Sequence, residues 1–257
     1  MLASGSAGNS ALVATEKTRI LIDAGLSLRE LKRRLDCAGT RAEDLDGIVV
    51  THEHCDHISG LATLVRWRIL HCERPIPVYV SRLTAATIDW GETPAVVEMF
   101  QAGSRFAIGD IEVDSFTIPH DAIDPVGLCL RAEGIKIGIV TDLGYITESV
   151  KYHLRGCTVL LLEANHDLEM LKVGPYPWSV KQRLLSRLGH LSNDSTSHFL
   201  RNDFDSSTAA LVLGHLSEHN NHPEIVRNMA CRALERRGAA PSLSIADQRR
   251  ASEVFEF

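Results

Sequence analysis

The hydrophobic and polar positions of this chain follow two periods, and their order along the sequence predicts the fold class. Short apolar runs bounded by turn residues predict strands over 11–14, 19–23, 47–51, 77–81, 104–108, 111–118, 126–131, 136–141, 158–163, 209–213 and 243–246. Apolar residues at helical spacing predict helices over 27–37, 58–70, 177–189, 194–203 and 223–237. Ser27 is of a type that caps helices, and it precedes the first of them.

Strands followed by helices, and then the same order again, predict two β-sheets packed face to face with helices on both outer sides. The expected fold is therefore an α/β (α+β) protein with a four-layer αββα sandwich. No internal repeat, low-complexity tract or linker interrupts the pattern, so we expect a single domain over residues 1–257.

The composition excludes a disordered chain, because 44% of the residues are hydrophobic and 23% are charged. The longest apolar runs, such as 158–162, have the length of strands, so no membrane partner is expected. The six cysteines include no CxxC pair, which is typical of a reducing compartment. We therefore expect the protein in the cytoplasm.

The charge balance restricts where a nucleic acid can bind. A formal net charge of −6 argues against a surface that attracts nucleic acid throughout. Each basic cluster is either a solvated helix face or part of a phosphate-contacting surface. There are three such clusters: Arg29, Lys32, Arg33 and Arg34; Lys181, Arg183 and Arg187; and Arg232, Arg236 and Arg237.

The segment 51–57, with the sequence THEHCDH, is the strongest chemical signal in the chain. Its three imidazoles and one aspartate follow an apolar strand directly, and they converge only if the backbone turns sharply there. Imidazole and carboxylate ligands together suit Zn²⁺, Mn²⁺ or Fe²⁺. Alternating spacing places His52 and His54 on one side, which leaves Asp56 and His57 to reach a second ion.

The pattern HxHxDH after a strand resembles the signature of the metallo-β-lactamase superfamily, whose fold is a four-layer αββα sandwich. That family uses three further ligands at the ends of later strands, and His120, Asp142 and His215 stand at such places here. The resemblance implies seven ligands for two divalent metal ions: His52, His54 and His120 for the first, Asp56, His57 and His215 for the second, and Asp142 bridging both.

Two residues near these ligands leave alternatives open. The carboxylate of Asp121 is the alternative to His120 as a ligand, or a partner for a ligand imidazole. Asp23, at the end of the second strand, has a family counterpart that supports a metal ligand, and the alternative is a plain turn cap.

This ligand set suits hydrolysis. Two divalent ions about 3.5–4 Å apart hold a hydroxide between them and clamp the oxygens of a scissile phosphoryl or carbonyl group. They lower the pKa of bound water toward about 7, so that this metal-bridging hydroxide is available as the nucleophile. Asp56 is expected to orient it.

Two later motifs indicate a proton donor. In ribonuclease Z, a Glu-containing motif and a later His-containing motif lie between the bridging Asp and the last metal His, and they assist proton transfer to the leaving group. Glu163 and His190 stand at those places here. A positioned acid suits phosphodiester cleavage, because the departing alkoxide is strongly basic. His166 is a third candidate, and a capping or core role is the structural alternative for Glu163 and His190.

Nearly the whole chain resembles the bacterial YycJ/WalJ-type proteins, compact superfamily members related to ribonuclease Z. The resemblance implies a DNA nuclease, a 5′-to-3′ exonuclease on double-stranded DNA that is linked to DNA repair or to cell-wall regulation. Transfer RNA processing is not expected, because no Gly/Pro-rich insertion for gripping tRNA is present. The matching stretches are SGSAGNS at 4–10, THEHCDHISG at 51–60, PHDAIDPVG at 119–127, TDLG at 141–144, LLEANHD at 161–167, the segment 174–194 and GHLSEHNNHPE at 214–224.

Two of these stretches allow more than one role. Tyr176 and Trp178 precede a helix with basic residues, where they either stack on an end base or anchor a loop. The segment SGSAGNS either approaches the metal cleft or forms a plain turn.

Three classes of function remain. Glu163 and His190 favour a nuclease with DNA as its partner. The acidic net charge favours a small-molecule hydrolase that cleaves a cyclic phosphodiester, a thioester or a lactone. A complete ligand set disfavours a metal-binding regulator without enzymatic activity.

Overall fold

A computed structural model describes residues 1–257. Its strands are β1 (Ala11–Ala14), β2 (Arg19–Ile22), β3 (Gly47–Val49), β4 (Pro77–Ser81), β5 (Val96–Phe100), β6 (Arg105–Ile108), β7 (Ile111–Thr117), β8 (Val126–Ala132), β9 (Ile135–Val140), β10 (Val159–Glu163), β11 (Ala210–Gly214) and β12 (Ser242–Ile245). Its helices are α1 (Leu28–Cys37), α2 (Cys55–Ile58), α3 (Leu61–His71), α4 (Arg82–Ala85), α5 (Glu148–Leu154), α6 (Leu168–Val173), α7 (Trp178–Leu184), α8 (Asn193–Asn202) and α9 (Pro223–Arg237), with a 3₁₀ turn at Ala42–Asp44. None of these helices combines the length and the apolar character needed to cross a bilayer.

The first part of the chain forms a five-stranded sheet in the order β1-β2-β3-β4-β5. The first two strands make the hairpin that the sequence predicts, with Ala11 opposite Ile22. The remaining neighbours are parallel. The carboxyl ends of β2 to β5 therefore lie at the same edge of the sheet.

The second sheet has seven strands in the order β12-β11-β10-β9-β8-β7-β6. Neighbours from β6 to β9 are antiparallel, and neighbours from β9 to β12 are parallel. Strand β7 therefore runs in the same direction as β9, β10 and β11, and all four strands end at one edge.

Three buried apolar clusters fill the interfaces between adjacent layers, and they confirm the four-layer arrangement. One lies between the sheets and joins Ile22 and Val49 of the first sheet to Leu128 and Leu161 of the second. Another lies between the first sheet and helices α1 and α3, and the third lies between the second sheet and helices α5, α8 and α9. Because both faces of β10 are covered, its sequence reads as a continuous apolar run.

The structure differs from the predicted elements mainly where an element is short. Strand β5 and helices α4, α5 and α6 were not predicted, and none exceeds seven residues, which is too few for a periodic pattern to stand out. Helix α7 ends at Leu184 rather than at 189, because the chain turns back there and the N–H of His190 donates to the Leu184 carbonyl at 3.1 Å.

Gly60 explains why the predicted helix over 58–70 is interrupted. Its N–H donates to the carbonyl of Ala24 at 2.8 Å, and a Cβ at this position would lie 1.9 Å from the carbonyl oxygen of Leu26. This close approach separates the short helix α2 from α3, and α2 therefore stays beside the loop that follows β2.

The inter-sheet cluster predicts where a core substitution is costly. Leu128 is fully buried between the sheets, so Leu128→Ala is expected to lower the free energy of unfolding by about 2–5 kcal/mol. The matched control is Leu70→Ala on α3, where the side chain is 67% exposed and little change is expected. Urea denaturation of both variants measures the difference, and equal losses would contradict the layer assignment.

Candidate metal centre

Polar side chains from both sheets meet at the edge where the strands end. Asp23 follows β2, His52 lies beyond β3, His120 beyond β7, Asp142 beyond β9, and His215 follows β11. Asp23, Asp142 and His215 have φ angles between 57° and 61°, a region that residues other than glycine rarely adopt. Backbone strain of this kind concentrates at functional sites, which marks this edge as the candidate site.

The first group of potential ligands consists of imidazoles only. One ring nitrogen from each of His52, His54 and His120 lies within 4.8 Å of the others. The closest pair is His54 Nδ1 and His120 Nε2, at 3.2 Å. The other nitrogen of His120 faces the carbonyl of Gly189 at 3.2 Å, which turns Nε2 toward the group.

The second group combines carboxylates and imidazoles and is more deeply buried. Asp56, His57, Asp142 and His215 each offer one atom within 4.8 Å of the others. His57 Nε2 and His215 Nε2 lie 3.3 Å from the two carboxylate oxygens of Asp142. Burial alone would raise the pKa of Asp142, but His215 and His57 hold this pKa well below its usual value, so the carboxylate stays ionised.

The helical turn α2 explains how consecutive residues reach different groups. His54 still lies in extended backbone, whereas Asp56 and His57 lie within the turn. The turn is tied to its neighbours, because the Asp56 carbonyl accepts from the N–H of Asn9 at 2.7 Å and the His57 carbonyl accepts from the N–H of Ala24 at 2.8 Å.

Both groups fit divalent cations. His52 Nε2 and Asp142 Oδ2 are buried and have no hydrogen-bond partner, a condition that proteins rarely leave uncompensated. Imidazole nitrogens and carboxylate oxygens that converge in this way are typical ligands of Zn²⁺ and related ions. The groups adjoin, since the ring centroids of His52 and His57 are 4.1 Å apart. All seven residues predicted as ligands are thus brought together.

Asp23 does more than cap a turn. Its carboxylate accepts hydrogen bonds from the N–H and the hydroxyl of Thr51, both at 2.8 Å. It also lies 2.8 Å from His57 Nδ1, which directs Nε2 of that ring toward Asp142. A carboxylate that orients a ligand imidazole in this way also increases its basicity.

Glu163 is fully buried, and like Asp23 it is a carboxylate that holds an imidazole of the site. Its Oε1 lies 2.7 Å from His190 Nδ1 and 2.8 Å from His215 Nδ1. Its Oε2 accepts from the backbone N–H groups of Leu143 and Leu191, both at 3.0 Å. Burial alone would raise the pKa of Glu163, but His190 and His215 lower it to about 2, so Glu163 is a charged acceptor that solvent does not reach.

His190 stands beside both groups without belonging to the seven. Its side chain is 15% exposed, and its ring centroid lies 5.1 Å from those of His120 and His215. Burial would lower the pKa of His190, but the Glu163 carboxylate outweighs this effect and raises it. His190 therefore combines partial access with a bound carboxylate, as a proton donor requires.

Asp121 does not replace His120 in the first group. Its Oδ1 lies 3.5 Å from His120 Nε2 and has no hydrogen-bond partner, while its Oδ2 contacts the guanidinium of Arg183. Asp121 thus sits between the imidazole group and a basic residue of α7.

Two residues of the SGSAGNS segment belong to the site, although the sequence left a plain turn equally open. The hydroxyl of Ser4 accepts from the N–H of His215 at 2.7 Å. The side-chain amide of Asn9 lies 3.1 Å from Asp56 Oδ2 and 3.0 Å from His57 Nε2. The glycine-rich composition of the segment was the only available signal.

The asparagines of the later motifs support the loops beneath the site. Asn221 donates to the side chain of Asn193 at 2.9 Å and to the carbonyl of Asn165 at 3.0 Å. Asn165 in turn donates to the carbonyl of His215 at 2.8 Å. His166 is also buried, and this burial lowers its pKa to about 4, so it is neutral and lies away from solvent.

The aromatic and basic residues before His190 have different roles. Tyr176 packs edge-on against His219, with ring centroids 5.8 Å apart, whereas Trp178 is 67% exposed. Lys181 is buried and donates to the carbonyl of Lys172 at 2.7 Å, so it does not face solvent as a phosphate contact would.

Comparisons with known proteins agree with this geometry. The family model described as a beta-lactamase superfamily domain matches residues 18–240. The chain is 36% identical to the Bacillus anthracis protein named exodeoxyribonuclease YycJ, over 93% of this chain and 89% of that protein. It is 35% identical to the Streptococcus pneumoniae protein named exodeoxyribonuclease WalJ, over 88% and 83%. The crystal structure of the metallo-β-lactamase fold protein YhfI from Bacillus subtilis shares the fold, with a TM-score of 0.75 at 16% identity over 96% and 95%.

The contact between Asp23 and His57 generates a prediction about metal affinity. Asp23→Asn removes the charge behind the imidazole and is expected to weaken metal binding by about 10–100-fold. Competition with a chelator measures the affinity. The matched control is Asp110→Asn, an exposed carboxylate that accepts from Thr15 and should leave the affinity unchanged. Unaltered binding in the Asp23 variant would mean that this carboxylate serves the turn alone.

Proposed function

This chain belongs to the beta-lactamase superfamily and is a metal-dependent hydrolase, and we propose that it is a dinuclear exonuclease that degrades double-stranded DNA from the 5′ end. The observation that carries this proposal is the place of His190, a partly exposed imidazole held by an ionised carboxylate beside the ligand groups. The two relatives whose names contain exodeoxyribonuclease support DNA as the substrate. The link to DNA repair is proposed only from the resemblance of the sequence to the YycJ/WalJ-type proteins.

The proposed ligands are the seven residues predicted from the sequence. When bound, divalent ions supply a nucleophile at neutral pH and neutralise charge on the phosphoryl oxygens. His52, His54 and His120 would hold one ion, Asp56, His57 and His215 the other, and Asp142 would bridge them.

Asp56 is proposed to orient the attacking water. It is the one member of the second group that is not fully enclosed, with a side-chain exposure of 18%. Its Oδ2 is fixed from two sides, by the amide of Asn9 at 3.1 Å and by His215 Nε2 at 3.4 Å. A carboxylate held this way accepts a hydrogen bond in a defined direction, which lowers the entropy lost when the water is aligned.

His190 is proposed to protonate the leaving alkoxide. Its Nδ1 is engaged by Glu163, so the proton available for transfer is the one on Nε2. Glu163 itself is fully buried and acts as a positioning residue that keeps His190 aligned and raises the pKa of its ring. His166 does not compete for this role, because it is buried and neutral.

One experiment separates the candidate substrates. The purified protein is loaded with Mn²⁺ or Zn²⁺ and incubated with duplex DNA labelled at the 5′ or the 3′ end, single-stranded DNA, RNA and a cyclic phosphodiester. Early release of the 5′ label from duplex DNA, absent in Asp56→Ala, is the expected result. If no polynucleotide is degraded with either metal, the nuclease proposal is wrong, and cleavage of the cyclic compound alone would identify a small-molecule hydrolase.

The assigned role of His190 predicts a specific phenotype. His190→Ala is expected to slow cleavage by about 10²–10⁴-fold, the usual contribution of general acid catalysis, while the metal content stays unchanged. His198→Ala, an exposed histidine on α8, serves as the matched control and should behave as the wild type. Loss of metal from the His190 variant would instead show that this imidazole is a ligand.

A further inference from the structure

Backbone contacts join three segments that carry site residues, beside the proposed ligand groups. The N–H of Asp121 donates to the carbonyl of Leu188 at 3.0 Å, and the N–H of Gly144 donates to the carbonyl of Pro119 at 2.9 Å. A Cβ on Gly144 would lie 2.3 Å from the carbonyl of Arg187, so these backbones touch. The end of α7 is thereby fixed relative to the loops of His120 and Asp142.

Arg183 is held at this place by the residue next to a proposed ligand. Its Nε donates to Asp121 Oδ2, and neither of its two terminal nitrogens makes a hydrogen bond. The other oxygen of Asp121 lies 3.5 Å from His120 Nε2. The contact with Asp121 raises the pKa of Arg183, so the guanidinium remains charged, and its side chain is 59% exposed.

Arg187 is held by a ring instead of a carboxylate. Its guanidinium carbon lies 4.4 Å from the centroid of Tyr145, which follows Asp142 in the loop after β9. No acidic side chain pairs with Arg187. Stacking leaves the edge of the guanidinium free, and that edge carries the donors that match a phosphate.

Other basic residues of the predicted clusters are used inside the fold. Arg34 is buried and donates to the carbonyls of Leu2 and Gln248. Arg237 donates to the carbonyls of Phe204 and Asn202. Arg183 and Arg187 differ from these, because both are exposed and each is anchored to a loop that carries a proposed ligand.

We propose that Arg183 and Arg187, which we call the arginine rim, bind backbone phosphates of the strand that is cleaved, next to the scissile bond. This inference rests on the proposed function and deepens it by naming the surface along which the nucleic acid lies. The occupant is a phosphodiester backbone, since exposed guanidinium edges are complementary to phosphate in charge and geometry. The exposed Trp178 lies on the same helix as Arg183, where a base can stack on it.

The test measures how DNA binding depends on salt. Metal-loaded protein is titrated with a fluorescent duplex whose terminal linkages are phosphorothioates, which resist cleavage, at about 50 to 200 mM salt. Arg183→Gln and Arg187→Gln are each expected to weaken binding and to reduce the slope of log K against log salt by about 0.9, the value for one lost phosphate contact. In the cleavage assay KM should rise, while metal content and melting temperature stay as in the wild type.

Two further variants sharpen the test. Arg236→Gln removes the same charge from the last turn of α9, which runs back from the strand ends and so lies away from the site, and it should change neither the slope nor KM. Arg183→Lys should keep the slope but bind more weakly, because an ammonium lacks the fork of the guanidinium.

The outcomes distinguish the two proposals. If the wild type cleaves DNA but both glutamine variants match Arg236→Gln in slope and KM, the arginine rim is wrong and the nuclease proposal stands. If the wild type neither binds nor cleaves any nucleic acid, the proposed function fails, and the rim fails with it. Loss of metal from Arg183→Gln would also overturn the rim, since its effect would then run through Asp121 and His120.

Discussion

The buried carboxylate of Glu163 is the interaction on which the rest of the site depends. An ionised group without solvent is tolerated only when its hydrogen bonds are complete, and four N–H groups satisfy this one. Two of them belong to His190 and His215, and two belong to the backbone at Leu143 and Leu191. Because these groups lie on different segments, the Glu163 side chain fixes three segments relative to one another: the loop after β9, the segment after α7 and the end of β11.

The packing of the two sheets fixes the positions of the carboxylates that hold the site together. The apolar clusters that pack on both faces of β10 fix the position of Glu163, which is the last residue of this strand. Asp23 lies at the corresponding place in the other sheet, directly after β2. Each of the two carboxylates holds an imidazole of the second ligand group, Glu163 through His215 and Asp23 through His57. Geometry at the centre therefore follows from two sheets that pack against each other, and neither sheet alone would define it.

The parts of this structure that local sequence patterns predict are those encoded over short distances, whereas His120, Asp142 and His215 were expected from the family resemblance. The hairpin, helix α9 and the THEHCDH segment each combine a local period with a local boundary, so their places were correct. Ser4 could not be predicted, because its contact with His215 joins residues 211 positions apart and a serine in a turn has many local roles. The contact of Asn9 with Asp56 could not be predicted for the same reason, because it joins residues 47 positions apart. The burial of Lys181 could not be predicted from its own helix, because Lys181 donates to the carbonyl of Lys172 outside that helix.

The net charge of the chain says less about nucleic-acid binding than the positions of the individual charged side chains. A net charge of −6 disfavours nucleic acid on average, but several acidic side chains, among them Asp23, Asp142 and Glu163, are buried where they hold imidazoles. On the proposed assignments, the segment from 183 to 190 carries both the arginines that bind phosphate and the imidazole that donates the proton. A strand held by these arginines would present its leaving oxygen to His190 at a fixed distance. Binding energy from the backbone would then contribute to alignment for catalysis as well as to affinity.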